Sequence, residues 1–240
     1  MEARRGAAGV IAVAAVTLSV VALAVLLAAG PGTRIGWWSF RTGLGLLRWA
    51  FYGGVAGAAL ALIAVVGGGR RALAALGLLV GVAAMLPPWQ FQRMARSRPP
   101  IHDISTDTDD PPRFVAVVPL RQGGTNPVDY GGPAIAAQQR EAYPDIAPAT
   151  LALPPARAFE HALQVTRAQG WQVVAAAPAE GRIEATDTTR WFGFKDDIVI
   201  RVRPEGAGSR VDVRSVSRVG RGDVGTNARR IRDFLKALAG

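Results

Sequence analysis

The chain has 240 residues, a formal charge of +10 and no cysteine. The lack of cysteine excludes disulfides, thiolate zinc sites and cysteine nucleophiles. The charge is unevenly placed, because residues 1–98 hold ten arginines against one acid, whereas residues 99–240 hold 18 basic groups against 17 acids. An excess of arginine beside apolar segments indicates topology signals and lipid head-group contact rather than phosphate-backbone binding. We therefore predict a membrane-lipid partner and no nucleic acid.

Three apolar stretches predict a transmembrane anchor within residues 1–90. The spans are expected at about residues 7–29, 44–66 and 70–87, and Pro87-Pro88 is expected to end the third span. About 20 apolar residues are enough to cross a bilayer. No acid, histidine or lysine lies within these stretches, although pumps and pores need such groups. The pattern indicates an anchor and not a transporter.

Lys195 and Lys236 are the only lysines, and alanine, glycine and valine are abundant, a composition typical of a GC-rich bacterial genome. The three spans then predict a multi-pass protein of the bacterial inner membrane. The first stretch is longer than the roughly 7–15 apolar residues of a cleaved signal peptide, so we interpret it as an uncleaved span. A basic amino terminus in the cytoplasm would put the C-terminal domain in the periplasm, which is our prediction. A count of flanking arginines, six against four, favours the opposite orientation, so that alternative stays open.

The remaining chain divides into a strap and a folded domain. Residues 91–153 are rich in proline, glycine and aspartate and predict an irregular strap that packs on the domain in places and tethers it to the bilayer. Residues 154–240 show regular apolar periodicity and predict the order helix, four strands, helix, with Asp223 as a cap of the last helix. The expected fold class is α+β. It is a two-layer α/β sandwich with a four-stranded antiparallel sheet whose apolar face carries both helices.

Several segments of the C-terminal part form an unusual combination. Residues 99–112 read Pro-Pro-Ile-His-Asp-Ile-Ser-Thr-Asp-Thr-Asp-Asp-Pro-Pro, and further characteristic segments begin at Gly181, Thr189 and Asp212, with Asn227 beyond them. Together they resemble the domain of unknown function 1499 family over about residues 99–238. The resemblance implies a bacterial membrane-tethered or exported domain with no established activity. Many members carry cysteines in the strap, and nothing that depends on them transfers to this chain.

The acidic part of the strap is a candidate metal site. His102, Asp103, Asp107 and Asp109 offer oxygen ligands and one imidazole, which suit Ca²⁺ or another divalent ion. The alternative is a set of Asx turns that order a proline-rich segment. Together with Glu184, these residues would build a metal-dependent hydrolase. No catalytic serine–histidine pattern or phosphate loop supports an enzyme, and we predict no cofactor.

The loop between the second and third strands of the domain is rich in aromatic residues. Arg190, Trp191, Phe194 and Lys195 lie around Gly193. If Trp191 and Phe194 are exposed, they form a tip that binds a partner or the bilayer interface. The alternative is a tight turn whose aromatic rings close the end of the core.

The polar face of the predicted sheet is a second candidate surface. Arg201, Arg214 and Arg218 are expected to point outward, beside Glu184 and Asp212. Such arginines suit phosphate or carboxylate ligands through bidentate contacts. A solvated ladder of ion pairs is the alternative.

These features predict a membrane-anchored envelope protein that acts as a binding or assembly module. Its partner would be a lipid, an envelope protein or an anionic small molecule, held by the polar sheet face and the aromatic loop. The alternatives are the metal-dependent hydrolase and a purely structural subunit of a membrane complex.

Overall fold

A computed structural model describes residues 2–240, with side chains from residue 5 onward. The chain forms two compact units. The first contains the chain up to Met94 together with Arg190–Gly193, and the second contains Ala95–Thr189 and Phe194–Gly240.

Three long helices make up most of the first unit: α1 (Glu2–Arg34), α2 (Phe40–Val66) and α3 (Arg71–Arg96). Each is long and apolar enough to cross a membrane, which confirms the prediction of three apolar N-terminal helices. The expectation that Pro87-Pro88 ends the third helix is wrong, because α3 continues to Arg96. Proline fixes φ near the helical value, and its cost is a lost backbone hydrogen bond and a local clash that the helix accommodates.

The three helices approach one another at small residues. The Ser19 hydroxyl of α1 donates a 2.8 Å hydrogen bond to the Gly77 carbonyl oxygen of α3. A Cβ atom added at Gly57 of α2 would lie 2.2 Å from Ser19 Oγ, and one added at Gly54 would lie 2.7 Å from the Gly81 carbonyl oxygen. Helices in membranes associate through such small residues, because their backbones can then pack closely.

The second unit is built around a six-stranded antiparallel sheet with the order β1-β6-β5-β4-β3, and β2 also pairs with β6. The α+β class and the antiparallel sheet are confirmed, but two strands were not predicted. β1 and β2 come from the strap and have three residues each, too few to show an alternating pattern. The strands are β1 (Asp103–Ser105), β2 (Ala149–Leu151), β3 (Gln172–Ala177), β4 (Arg182–Thr188), β5 (Lys195–Glu205) and β6 (Gly208–Ser217).

Two helices cover one face of the sheet, as predicted. They are α5 (Pro155–Ala168) and α6 (Thr226–Leu238), and α4 (Gly132–Ala142) precedes them in the strap. Trp171 stacks on Phe234 in the core, with ring centroids 5.6 Å apart. The Asp223 carboxylate accepts the backbone N–H groups of Gly225 and Asn227, and it therefore serves the first turn of α6.

The opposite face of the sheet is covered by the strap. Phe114 and Val117 of the strap form a small apolar cluster with Val199 of β5 and Val216 of β6. The expectation that this face points into solvent is therefore wrong. Its charged residues are buried under a polar cover that supplies partners for them, and we call it the strap face.

Candidate binding groove on the strap face

Glu184 fastens the strap to β4. Its side chain is fully buried, and its two oxygens accept the backbone N–H groups of Val115, Ala116 and Val117 at 3.0, 3.0 and 2.9 Å. Arg182 donates to the same carboxylate. A carboxylate that receives several backbone donors is strongly held, because charge-assisted hydrogen bonds are about twice as strong as neutral ones. Glu184 is therefore an anchor for the strap.

Arg214 is buried, and its guanidinium forms all of its hydrogen bonds with residues of the strap. Its Nε and one terminal nitrogen donate to the Asp103 carboxylate at 2.9 and 2.7 Å, and further bonds go to the carbonyl oxygens of Pro112 and Val128. The rings of Phe114 and Tyr130 lie 5.1 and 5.4 Å from the guanidinium carbon. The predicted ligand-binding Arg214 thus joins β1, β6 and the strap.

Arg218 is engaged in a similar way at the other end of the strap face. The buried Asp197 carboxylate accepts hydrogen bonds from Arg218 at 2.8 and 3.0 Å, from Arg121 at 2.5 Å and from the Thr186 hydroxyl at 2.7 Å. Another nitrogen of Arg218 donates to the Leu120 carbonyl oxygen. This arginine also holds the strap.

Arg201 belongs to a balanced cluster of three arginines and three acids. Arg201 and Arg203 each pair with Asp107, Asp110 and Asp212. The third arginine, Arg210, pairs with Asp107 and Asp212. Burial works to raise the pKa of Asp107, but the backbone N–H groups of Asp110 and Asp109 and the charges of nearby arginines lower it below its usual value. The cluster neutralises itself, and no surplus of positive charge remains for an anion.

The four predicted residues of the aromatic loop differ in exposure. Arg190, Trp191 and Lys195 are exposed, and Phe194 is half-buried. The backbone N–H of Phe194 donates to the Thr189 hydroxyl at 2.8 Å, which tightens the turn. Within the first unit, the neighbouring Phe192 packs against a cluster of Leu26, Ala29, Leu47 and Ala50.

The four predicted metal ligands are not brought together. Asp103 and Asp107 form ion pairs with arginines, and the Asp109 side chain is 94% exposed, with Arg140 at 3.5 Å. His102 Nδ1 lies 3.4 Å from the Arg221 carbonyl oxygen. Within the described part of the chain, no group of three or more His, Asp or Glu residues is placed to hold a metal ion. Asp107 accepts the backbone N–H groups of Asp109 and Asp110, which is the Asx-turn alternative.

A groove of about 480 Å³ opens beside the buried Arg214, between two segments of the strap. Arg113 and Asp129 line it, both are exposed, and neither side chain forms an ion pair or hydrogen bond with any residue the structure describes. The Tyr130 hydroxyl is buried at the groove without a hydrogen-bond partner. Burial, with a contribution from Asp103, raises the pKa of Tyr130 to about 12, so its phenol stays neutral.

A second groove of about 280 Å³ adjoins the first, because Asp110 and Arg113 line both. Glu180, Arg182 and Val115 also line it. Sequence reasoning missed Arg113, Asp129 and Tyr130, because single polar residues in a proline-rich segment carry no periodic signal. A tyrosine beside an unpaired arginine and aspartate becomes recognisable only when the strap is folded.

A single family model covers most of the strap together with the helix–sheet core. The family described as "Protein of unknown function (DUF1499)" matches residues 103–238, from the start of β1 to the end of α6. The chain belongs to this family. The DUF1499 match includes the strap, in agreement with the strands and ion pairs that the strap contributes. No curated protein matches the sequence closely enough to indicate a characterised relative. The family description assigns no activity to the DUF1499 domain, so its function has to be argued from the geometry of the groove.

Proposed function

We propose that the protein is a membrane-anchored binding module of the bacterial envelope and that the larger groove is its ligand site. The observation that carries the proposal is the Tyr130 hydroxyl, which is buried without a partner in a groove that is also lined by Arg113 and Asp129, neither of them paired with a described residue. A buried polar atom without a hydrogen bond costs about 1–3 kcal/mol, and a ligand that satisfies it recovers this free energy. The groove volume of about 480 Å³ lies within the roughly 300–1,000 Å³ of small-molecule sites.

We place the ligand in the groove and not at the arginines of the sheet. Arg201, Arg214 and Arg218 already pair with carboxylates. A ligand that took either buried arginine, Arg214 or Arg218, would leave a buried acid without its partner, at a cost of about 3–5 kcal/mol. Arg113 and Asp129 can bind a ligand without breaking any such pair.

The walls of the groove are held before a ligand arrives. Glu184 fixes the strap at Val115–Val117, and Arg214, which lines the groove, bonds to the carbonyl oxygens of Pro112 and of the groove residue Val128. A preformed site binds more tightly than a flexible one, because less conformational entropy is lost on binding. This supports a binding role over a loose spacer.

The anchor supports a location at the inner membrane with lipid around α1, α2 and α3, and we propose that the second unit lies in the periplasm. A reporter fused after Gly240 that is active on only one side of the membrane tests this orientation. Activity of a cytoplasmic reporter would contradict it. The metal-dependent hydrolase gains no support from the geometry, because two of its proposed ligands, Asp103 and Asp107, are held in ion pairs.

The binding site is tested by thermal shifts of the full chain in mild detergent. The probes are glycine, alanyl-alanine, inorganic phosphate, citrate and spermidine. We expect a probe that raises the melting temperature of the wild type and of Arg157→Ala, an exposed arginine on α5. The same probe should have a weaker effect on Tyr130→Phe and Arg113→Ala. Equal shifts in all four proteins would exclude the groove as the ligand site.

A further inference from the structure

We infer that the groove binds a zwitterion: a free amino acid or the end of a short peptide, with an ammonium group and a carboxylate. This inference rests on the proposed function and gives its ligand a chemical class. It follows from which charges around the groove are already paired and which are not.

Two of the acids that line the groove, Asp109 and Asp129, are suited to the ammonium group. Asp129 is exposed and has no partner in the described chain, and Asp109 contacts only Arg140, at 3.5 Å, with a side chain that is 94% exposed. An ammonium group has three donors and no acceptor, and it therefore matches carboxylate oxygens. The neutral Tyr130 hydroxyl can accept a further hydrogen bond from it.

Arg113, which also lines the groove, is suited to a carboxylate. Arg113 is exposed and unpaired among the described residues, because the neighbouring Asp110 is held by Arg201 and Arg203. A guanidinium binds a carboxylate through two parallel hydrogen bonds, which fixes the orientation of the ligand as well as its charge. One arginine and one aspartate without an ion pair among the described residues, Arg113 and Asp129, therefore line the same groove as the largely exposed Asp109.

Ligands of a single charge fit this arrangement less well. A pure anion at Arg113 would be repelled by Asp109 and Asp129, and a pure cation at the acids would be repelled by Arg113. A quaternary ammonium group needs free aromatic faces, whereas Phe114 and Tyr130 lie against the guanidinium of Arg214. A zwitterion can pair with both kinds of charge that line the groove.

The size of the site favours a short peptide over a single amino acid. A carboxylate held at Arg113 ends the bound chain there, and the groove volume of about 480 Å³ is well above the roughly 300 Å³ of the smallest ligand sites, which leaves room for more than one residue. We therefore use a dipeptide as the probe.

The experiment is a calorimetric titration of the full chain in mild detergent with three matched probes. These are alanyl-alanine, its N-acetyl derivative, which lacks the ammonium group, and its C-terminal amide, which lacks the carboxylate. We expect the free dipeptide to bind about tenfold or more tightly than either derivative, since each derivative loses one charge-assisted contact. Equal affinity for the three probes would overturn the inference.

Two substitutions assign the two ends of the ligand. Arg113→Gln should abolish the preference for alanyl-alanine over its amide and keep the preference over the acetylated form. Asp129→Asn should have the opposite pattern, and Arg157→Gln should change neither preference. Both groove residues are exposed and unpaired within the described chain, so we expect the variants to keep the wild-type melting temperature without ligand.

The zwitterion as ligand and the groove as binding site are tested by different results. If alanyl-alanine does not bind at millimolar concentration, the zwitterion is wrong. The groove itself would stand if inorganic phosphate, citrate or spermidine gives a thermal shift that Tyr130→Phe and Arg113→Ala reduce.

Discussion

The Arg214 guanidinium donates two hydrogen bonds, of 2.9 and 2.7 Å, to the Asp103 carboxylate, and both side chains are almost completely shielded from water. Asp103 lies in β1 of the strap and Arg214 in β6. The pair therefore holds the strap against the sheet at one end, and the groove lies directly beside it.

Breaking this pair should destabilise the domain strongly. We expect Asp103→Asn to lower the free energy of unfolding by about 3–5 kcal/mol, because the buried charge of Arg214 loses its counter-ion. The control is Asp145→Asn, whose half-exposed ion pair with Arg232 should contribute at most about 1 kcal/mol. Urea denaturation of the full chain in detergent measures both values. A loss of at most about 1 kcal/mol for Asp103→Asn, as expected for the control, would contradict this role of the pair.

Glu184→Gln should loosen the strap without unfolding the sheet. Glutamine has one acceptor oxygen and a donor amide, so at least one of the N–H groups of Val115, Ala116 and Val117 would face another donor. We expect a loss of about 1–3 kcal/mol and faster amide hydrogen exchange at these three residues. Glu180→Gln is the control, because this side chain is 61% exposed and pairs only with Arg182. Unchanged exchange in Glu184→Gln would contradict its role as an anchor.

The helices of the first unit should not tolerate a large residue at Gly57. Its added Cβ atom would lie 2.2 Å from Ser19 Oγ, so Gly57→Leu would separate α1 from α2. Forced overpacking of this kind costs about 1–3 kcal/mol. Gly45→Leu in the same helix is the control, because nothing lies within 4 Å of a Cβ atom there. The melting temperature in detergent should fall for Gly57→Leu alone.

Val224, just before α6, should be improved by substitution. It has a positive φ of 56°, a conformation that strains a β-branched residue by about 1–3 kcal/mol. Glycine adopts this φ freely and costs about 0.5–1 kcal/mol in conformational entropy. Val224→Gly should therefore stabilise the second unit by about 1 kcal/mol. Val219→Gly, another half-buried valine of the same loop, should destabilise it, and thermal melts of both variants test the sign.

Acid should destabilise the arginine cluster of the strap face through Asp107. The pKa of Asp107 is lowered in the folded protein, so its contribution to stability is complete above its unfolded pKa of about 3.9. That contribution is lost as the pH falls through the lower, folded pKa. Asp107→Asn should cost about 1–3 kcal/mol at neutral pH and should flatten the acid limb of a stability–pH profile. A profile with the slope of the wild type would contradict this assignment.

Regular elements could be predicted from the sequence, because their pattern is local. The apolar stripe of α6, with Ile231 and Leu238, and the alternation of Ile198 and Ile200 in β5 both reappear as buried faces of the fold. The three apolar helices follow from composition alone. In each case the pattern that predicts the helix or strand lies within that helix or strand.

The strap face could not be predicted in the same way, because its structure comes from distant partners. β1 is three residues long and exists through its pairing with Val216, Ser215 and Arg214. Nothing near Asp103 in the sequence indicates that Arg214 will neutralise it. The groove residues Arg113 and Tyr130 were missed for the same reason, whereas the sheet arginines that the pattern did identify, Arg201, Arg214 and Arg218, turned out to be paired.

The pairing of β1 with β6 also sets the order in which the second unit can fold. Its first strand and its last strand lie side by side, and β2 joins the same edge of β6. Contacts between residues so distant in sequence form slowly, because closing the long loop between them costs conformational entropy before the contact stabilises the chain. β1 and β2 therefore cannot pair with β6 until Ser217 has left the ribosome, and during synthesis the Asp103 carboxylate stays in water until Arg214 has been made.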